Sequence, residues 1–374
     1  MGNRTGGGNH HYSISMKEQI KYGIGCLMMA WMITGCQQDE TVEPSFDSIE
    51  DCIFFNTEVT SRGELVTEMN GLDFGVMGYE YSGDWNTVKV QAIPNLFYAQ
   101  SITWNPTSEV HEYAPLKIWR PGNKYTFFGY YPTTGLELSE EDIEGVPYLT
   151  YTLPETPVDM KDVMTAVVYD TDNSASNSVG LTFQHRLVAT NVQARNFNIP
   201  HDGKEVYIKL TDVRITYTNL KYNKVTLPLD ASLPITREKV GTVKQDYTIL
   251  TNADLLIPPT DTSTGETTAV EVSAGQEPPT TLILIPQEGT DEANDYLKGT
   301  VTFTFDYADA SGNTIAIDDV AEQPGTRTLN FDLGKSIVAG RKYALLMNFS
   351  RTSVTIAIVE SGEWTDQDVE IEFE

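Results

Sequence analysis

The chain has 374 residues and carries 53 acidic residues against 25 basic ones, a formal charge of −28. A field of that sign repels phosphate backbones and anionic headgroups, which excludes nucleic acid as a partner. Five histidines and three cysteines leave little material for a transition-metal centre or a disulfide framework.

The first forty residues read as an address. Met16 opens a run with Lys17 and Lys21, followed by the apolar stretch Tyr22 to Ile33 and then Thr34-Gly35-Cys36. A charged start, a short apolar segment and small residues before the thiol form a secretory signal. The apolar stretch falls short of the ~20 residues that span a bilayer. Ile33-Thr34-Gly35-Cys36 resembles the lipobox of bacterial lipoproteins, and that resemblance implies an acylated Cys36 as the mature N-terminus. A plain secretory signal with a coincidental cysteine is the alternative. Residues 1–35 are then leader, with an extension upstream of Met16 that includes Gly6-Gly7-Gly8 and His10-His11. Gln37-Gln38-Asp39-Glu40 resembles the acidic tag that sends lipoproteins of gut and oral anaerobes to the outer face of the outer membrane. Cys52 is left as a lone thiol, expected to be a small buried hydrophobe without a disulfide.

From residue 50 onward, period-two alternation predicts strands. Ile53, Phe55 and Val59 share one face of the first, and a polar spot with a single arginine, Thr60-Ser61-Arg62-Gly63, follows it. Ser139-Glu140-Glu141-Asp142 predicts a capped turn, and Asp170 to Ser178 a polar loop. Leu181, Phe183, His185, Leu187 and Ala189 line one face of a long strand that ends at the turn cluster Asn198 to Gly203. Beyond Val206 the apolar phase shifts near Thr211-Asp212, which predicts a bulge. Val225, Leu227 and Leu229 form a short face, and Pro258 to Thr280 an extended hairpin or lid. Thr290 to Lys298 suits two helical turns, with acids first and lysine last. Val301 to Tyr307, Tyr343 to Phe349 and Val354 to Ile358 alternate cleanly. After Trp364, Val369, Ile371 and Phe373 alternate with acids. The expected fold is all-β: two tandem antiparallel Greek-key sandwiches, residues 36–204 and 205–374, each sheet with one face on a core and one in water.

Chemistry-bearing constellations are scarce. His185 lies on an apolar strand face without a matched nucleophile, which reads as structural. His111-Glu112 starts like a zinc-protease helix, but no second histidine follows at the required spacing and Pro115 breaks the helix. Asp170-Thr171-Asp172-Asn173-Ser174 has calcium-loop spacing for three positions, then offers Ala175 and Leu181 where glycine and a carboxylate belong. Glu137, Glu140, Glu141, Asp142 and Glu144 crowd one acidic segment rather than flanking a cleft. Trp85, Trp104 and Trp119 serve either as core anchors or as platforms for sugars. No catalytic residue, metal site or cofactor is assigned.

Several segments together resemble one family, the fimbrillins, subunits of the type V pili of gut and oral anaerobes. They are the lipobox at Cys36, the first strand followed by Thr60-Ser61-Arg62, and Tyr125-Thr126-Phe127-Phe128-Gly129-Tyr130-Tyr131-Pro132. Asp162-Val163-Met164-Thr165-Ala166, Phe183-Gln184-His185-Arg186-Leu187, and Ala339-Gly340-Arg341-Lys342-Tyr343 with Trp364 continue the likeness. The resemblance implies transthyretin-like sandwiches, export as an outer-membrane lipoprotein, and trimming by a trypsin-like protease after an arginine, here Arg62. It also implies homo- or heteropolymers with other fimbrial subunits, joined by strand donation into the place left by Ile53, Phe55 and Val59. Val369, Ile371 and Phe373 match the knobs of such a donor. The ten residues after Trp364, roughly 33 Å when extended, either reach a neighbour or complete the chain's own sheet. A non-enzymatic fimbrial subunit is therefore the expectation, and a surface glycan-binding outer-membrane lipoprotein the alternative.

Overall fold

Residues 51–59, 66, 68–197, 199, 201–260, 269–273, 281–287, 296–318, 320–361 and 368–371 are described by the structure, a computed structural model. Cys36, Arg62, Phe373, the leader and most of Thr290–Lys298 lie outside them. Lys298 itself already opens a strand rather than closing a helix. Twenty-two strands form among the described residues, against two helical pieces at Trp85–Val88 and Pro157–Asp159.

In chain order the strands begin β1 (Phe54–Val59), β2 (Phe74–Tyr81), β3 (Phe97–Asn105), β4 (Val110–Glu112), β5 (Lys124–Tyr131), β6 (Glu137–Leu138) and β7 (Tyr148–Thr152). Next come β8 (Met164–Thr171), β9 (Ser178–His185), β10 (Val188–Asn196), β11 (Tyr207–Tyr217), β12 (Lys224–Pro228), β13 (Thr236–Glu238), β14 (Asp246–Leu250) and β15 (Leu255–Ile257). The last are β16 (Val270–Glu271), β17 (Leu282–Leu284), β18 (Lys298–Ala308), β19 (Gly325–Asp332), β20 (Lys342–Phe349), β21 (Val354–Ser361) and β22 (Asp368–Ile371).

Alternation and burial agree where one face meets water. On β18, Val301, Phe303, Phe305 and Tyr307 are buried while the threonines between them are half-exposed. The predicted bulge occurs on β11, whose register against β18 shifts between Leu210 and Asp212. Inner strands depart from the one-wet-face expectation. β2 and β5 send Met77, Tyr79, Phe128 and Tyr130 into one core and Phe74, Val76, Tyr125 and Phe127 into another. Their seven-stranded sheet, ordered β1-β9-β8-β5-β2-β3-β4, is thus covered on both faces at its centre.

The long strand expected through Leu187 is two strands. β9 ends at His185 and β10 starts at Val188 in a different sheet, ordered β16-β10-β20-β21-β22. The break has a physical cause in two buried polar side chains. His185 Nδ1 lies 2.9 Å from the Asp162 carboxylate. Arg186 donates from Nη1 to Thr165 Oγ1 and to the Pro228 carbonyl, both at 2.8 Å. Burial pulls the Arg186 guanidinium down to about 10, with Asp230 opposing that shift. The chain therefore changes sheets upstream of the 204/205 division, and the sheet β13-β12-β7-β6 takes strands from both sides of it.

Among the described residues two strand pairs run parallel, β1 with β9 and β10 with β20, and the other strand pairs are antiparallel. In each pair the partners are more than a hundred residues apart, far beyond the dozen or so that a parallel crossover needs. A fourth sheet, ordered β14-β11-β18-β19, packs its buried face on the larger core.

Close approach at Gly299 fixes the entry to β18. A Cβ there would sit 2.3 Å from the Thr216 carbonyl oxygen and 2.8 Å from the Phe331 ring. Backbone cannot yield as a side-chain tip can, so Gly299→Ala is expected to cost about 1–3 kcal/mol in urea unfolding.

Candidate functional site

The expectation for a working strand centres on Ile53, Phe55 and Val59, and the structure places all three on the inward face. Ile53 is fully buried, Phe55 is 6% exposed, and Val59 is half-buried against the same cluster. Asn56 and Glu58, on the other face, are exposed. β1 lies at the end of the seven-stranded sheet and pairs with β9 from Phe54↔Ser178 to Val59↔Phe183.

At its leading end the strand is held on both flanks. Ile53 N donates to the Lys117 carbonyl and Trp119 N to the Asp51 carbonyl, each at 2.9 Å. Cys52, buried and free of any disulfide, bridges Ile118 between them. On the opposite flank Phe54 N donates to the Asn177 carbonyl at 3.0 Å. Residues 51–54 therefore wedge between β9 and the segment 117–119, which an ordinary sheet edge does not do.

Phe55 enters a box of four aromatic rings. Its centroid lies 5.5 Å from Phe127, 5.8 Å from Tyr113, 6.0 Å from Phe97 and 6.4 Å from Phe74. The planes of Phe74 and Phe127 stand at 89° and 85° to it, the edge-to-face geometry that aromatic quadrupoles favour. Tyr113 has a second role. Its hydroxyl donates to the Ile53 carbonyl at 2.9 Å and accepts from Lys117 N at 3.2 Å. Burial pushes that phenol far above the ordinary tyrosine range, so it stays a neutral donor. None of these four ring residues was expected as part of a site. The signal available was only the aromatic run through Tyr125–Tyr131, which says nothing about Tyr113 or Phe97.

The other expected strand sits elsewhere. β22 closes the edge of the sheet built on β20 and β21, with Val369 opposite Glu360 and Ile371 opposite Ile358. Within one molecule, then, β1 and β22 occupy edges of different sheets. Phe373 and Arg62 fall outside the described residues.

The remaining candidates are structural in their contacts. His111 Nε2 lies 3.1 Å from the Leu72 carbonyl, and burial lowers its affinity for a proton. Asp170 accepts from Trp85 N at 2.7 Å and from Tyr81 hydroxyl at 3.1 Å, while Asp172 accepts from Ser174 N at 2.8 Å. Asp170, on β8, thereby ties that strand to the segment 81–85, and Asp172 fixes a turn. Glu137, Glu140, Glu141, Asp142 and Glu144 are all exposed. Trp85 and Trp119 are buried, and Trp104 packs edge-on against His111. Among the described residues no group of three or more potential metal ligands converges.

Comparison with known proteins matches the fimbrillin-like family model over residues 66–364. The fimbrium subunit Fim1C of Phocaeicola vulgatus is 28% identical over 235 residues, which cover 54% of this chain and 59% of that one. The chain thus spans about three-fifths of that relative's length. The crystal structure of a fimbrial protein from Bacteroides vulgatus is alike in fold, with a TM-score of 0.55 at 20% identity. That likeness covers 84% of this chain and 99% of the other.

Proposed function

Because the chain belongs to the fimbrillin-like family, we propose that it is a structural, adhesive fimbrial subunit whose β1 is surrendered on maturation and replaced by a strand from a neighbouring subunit. The observation that carries this reading is the seat of β1: a short edge strand, apolar on one face, that pairs with β9 while the residues just ahead of it, 51–53, are held by segment 117–119. While it is covalently attached, β1 occupies that seat at an effective concentration of order millimolar or higher, and a competing strand loses. Cleavage after Arg62 converts β1 into a separate peptide that can leave. Its departure uncovers the edge of β9 and an apolar trough, and an incoming strand regains both the ladder bonds and the buried area.

On this reading the chain is exported as a lipoprotein anchored in the outer membrane through Cys36, and a trypsin-like protease cuts at Arg62. Neighbouring fimbrial subunits, of the same or another kind, then supply the replacement strand. The work is backbone pairing rather than catalysis. Val369, Ile371 and Phe373 are the donor knobs this chain would offer, at the cost of releasing β22 from β21. The buried Trp85 and Trp119 cannot stack on a sugar, which leaves only the half-buried Trp104 of the three for a glycan-binding reading.

Arg62→Ala tests the reading. Trypsin nicking of the wild-type chain is expected to start assembly, seen as high-mass species by light scattering, and the variant is expected to stay monomeric. Polymers of unchanged abundance from Arg62→Ala would overturn strand exchange.

A further inference from the structure

The inward positions of β1 are unequal. Ile53 and Phe55 are buried, whereas Thr57 and Val59 remain half-exposed. Binding energy in a strand-in-groove contact concentrates in fully desolvated anchors, aromatic ones above all. Phe74, Phe97, Tyr113 and Phe127 come from β2, β3, β5 and the loop after β4, so the box that holds Phe55 is assembled by elements that remain when β1 leaves. Phe74 and Phe97 are themselves held by Phe183 and Tyr113, through ring contacts at 5.4 and 5.2 Å, which keeps the walls in place.

We propose that this box is a selectivity pocket: the strand that replaces β1 must be an extended segment carrying an aromatic side chain for the Phe55 position, with an aliphatic side chain two residues away for the Ile53 position. The inference rests on the strand-exchange reading and specifies the partner's chemistry. The aromatic demand follows from geometry. Two walls meet the Phe55 ring edge-to-face, a contact that an aliphatic side chain of similar volume cannot make. Tyr113 adds a sequence-independent contact, since its hydroxyl grips the carbonyl of the aliphatic position and so sets how far the aromatic position reaches into the box.

The test uses the full chain nicked after Arg62 and labelled peptides with the sequence of residues 51–59, in which only Phe55 is varied. Equilibrium exchange of peptide into the nicked chain is read by fluorescence anisotropy. The native peptide is expected to bind tightest, with Phe55→Leu weaker by about 10-fold and Phe55→Ala by about 100-fold or more. Thr57→Ala is expected to change binding less than threefold, as for a half-exposed position (~0.5 kcal/mol). A Phe55→Ala peptide that binds as tightly as the native one would overturn the pocket while leaving strand exchange standing. If even the native peptide fails to enter the nicked chain, strand exchange itself falls and the pocket with it.

Discussion

Phe55→Ala in the intact, unnicked chain is expected to lower unfolding stability by about 3–5 kcal/mol, the range for emptying a buried aromatic position. The side chain is nearly fully buried and touches four rings that come from separate elements. Those walls are cross-braced, so they cannot collapse to fill the space, and the cost belongs at the upper end of that range. Glu58→Ala, on the exposed face of the same strand, is expected to stay within about 0.5 kcal/mol and serves as the control. Denaturant unfolding measures both. Amide exchange then locates the loss: protons in the β1–β9 ladder should lose more protection than those of β18–β19, because β1 opens alone once its anchor is gone. A loss under about 1 kcal/mol for Phe55→Ala would mean that β1 is held by its ladder and not by its anchor.

The parity of β1 was legible in the sequence because strand geometry is local: residues two apart share a face whatever the strand pairs with. For the same reason β18, β20 and β21 fall where alternation puts them, and the bulge on β11 shows as a change of phase near Thr211-Asp212. What surrounds Phe55 was not legible. Phe74, Phe97, Tyr113 and Phe127 are brought to it by sheet order, which no short stretch of sequence encodes. The parallel direction of β1 against β9 is likewise a property of the whole topology. At Leu187 the local signal misled, since apolar parity continues through Leu187 and Ala189 as though one strand ran on. Two buried polar side chains, His185 with Asp162 and Arg186 with Thr165 and Pro228, instead anchor the chain at the corner and turn it into another sheet. A histidine and an arginine in an apolar run were the available warning, and their buried partners lie in segments distant in sequence.

Alkaline pH is expected to unfold the protein cooperatively well before the strands lose their hydrogen-bonding capacity. Tyr125, Tyr130, Tyr151, Tyr247, Tyr307 and Tyr343 are buried, and burial pushes each phenol up to about 12. In the unfolded chain the same phenols release their protons near 10. Between those values the unfolded state binds fewer protons than the folded one, so stability falls as pH rises. Below pH 10 both states hold the proton and these rings contribute no pH dependence. Each ring therefore disfavours the folded state increasingly as pH rises above 10, and all six act in the same direction. The share of tyrosinate absorbance owed to these six rings should therefore appear as a steep late step that coincides with loss of the β-sheet circular dichroism signal, distinct from the signal of exposed tyrosines such as Tyr98 and Tyr148. Full tyrosinate absorbance reached with the sheet signal intact would show the six phenols to be open to solvent. The rings are spread over both cores: Tyr125 packs on the wall of the β1 seat, and Tyr343 lies on β20 in the sheet that β22 closes. Alkali thus attacks the seat of β1 and the sheet that β22 closes together, so the signals of both should be lost in one step.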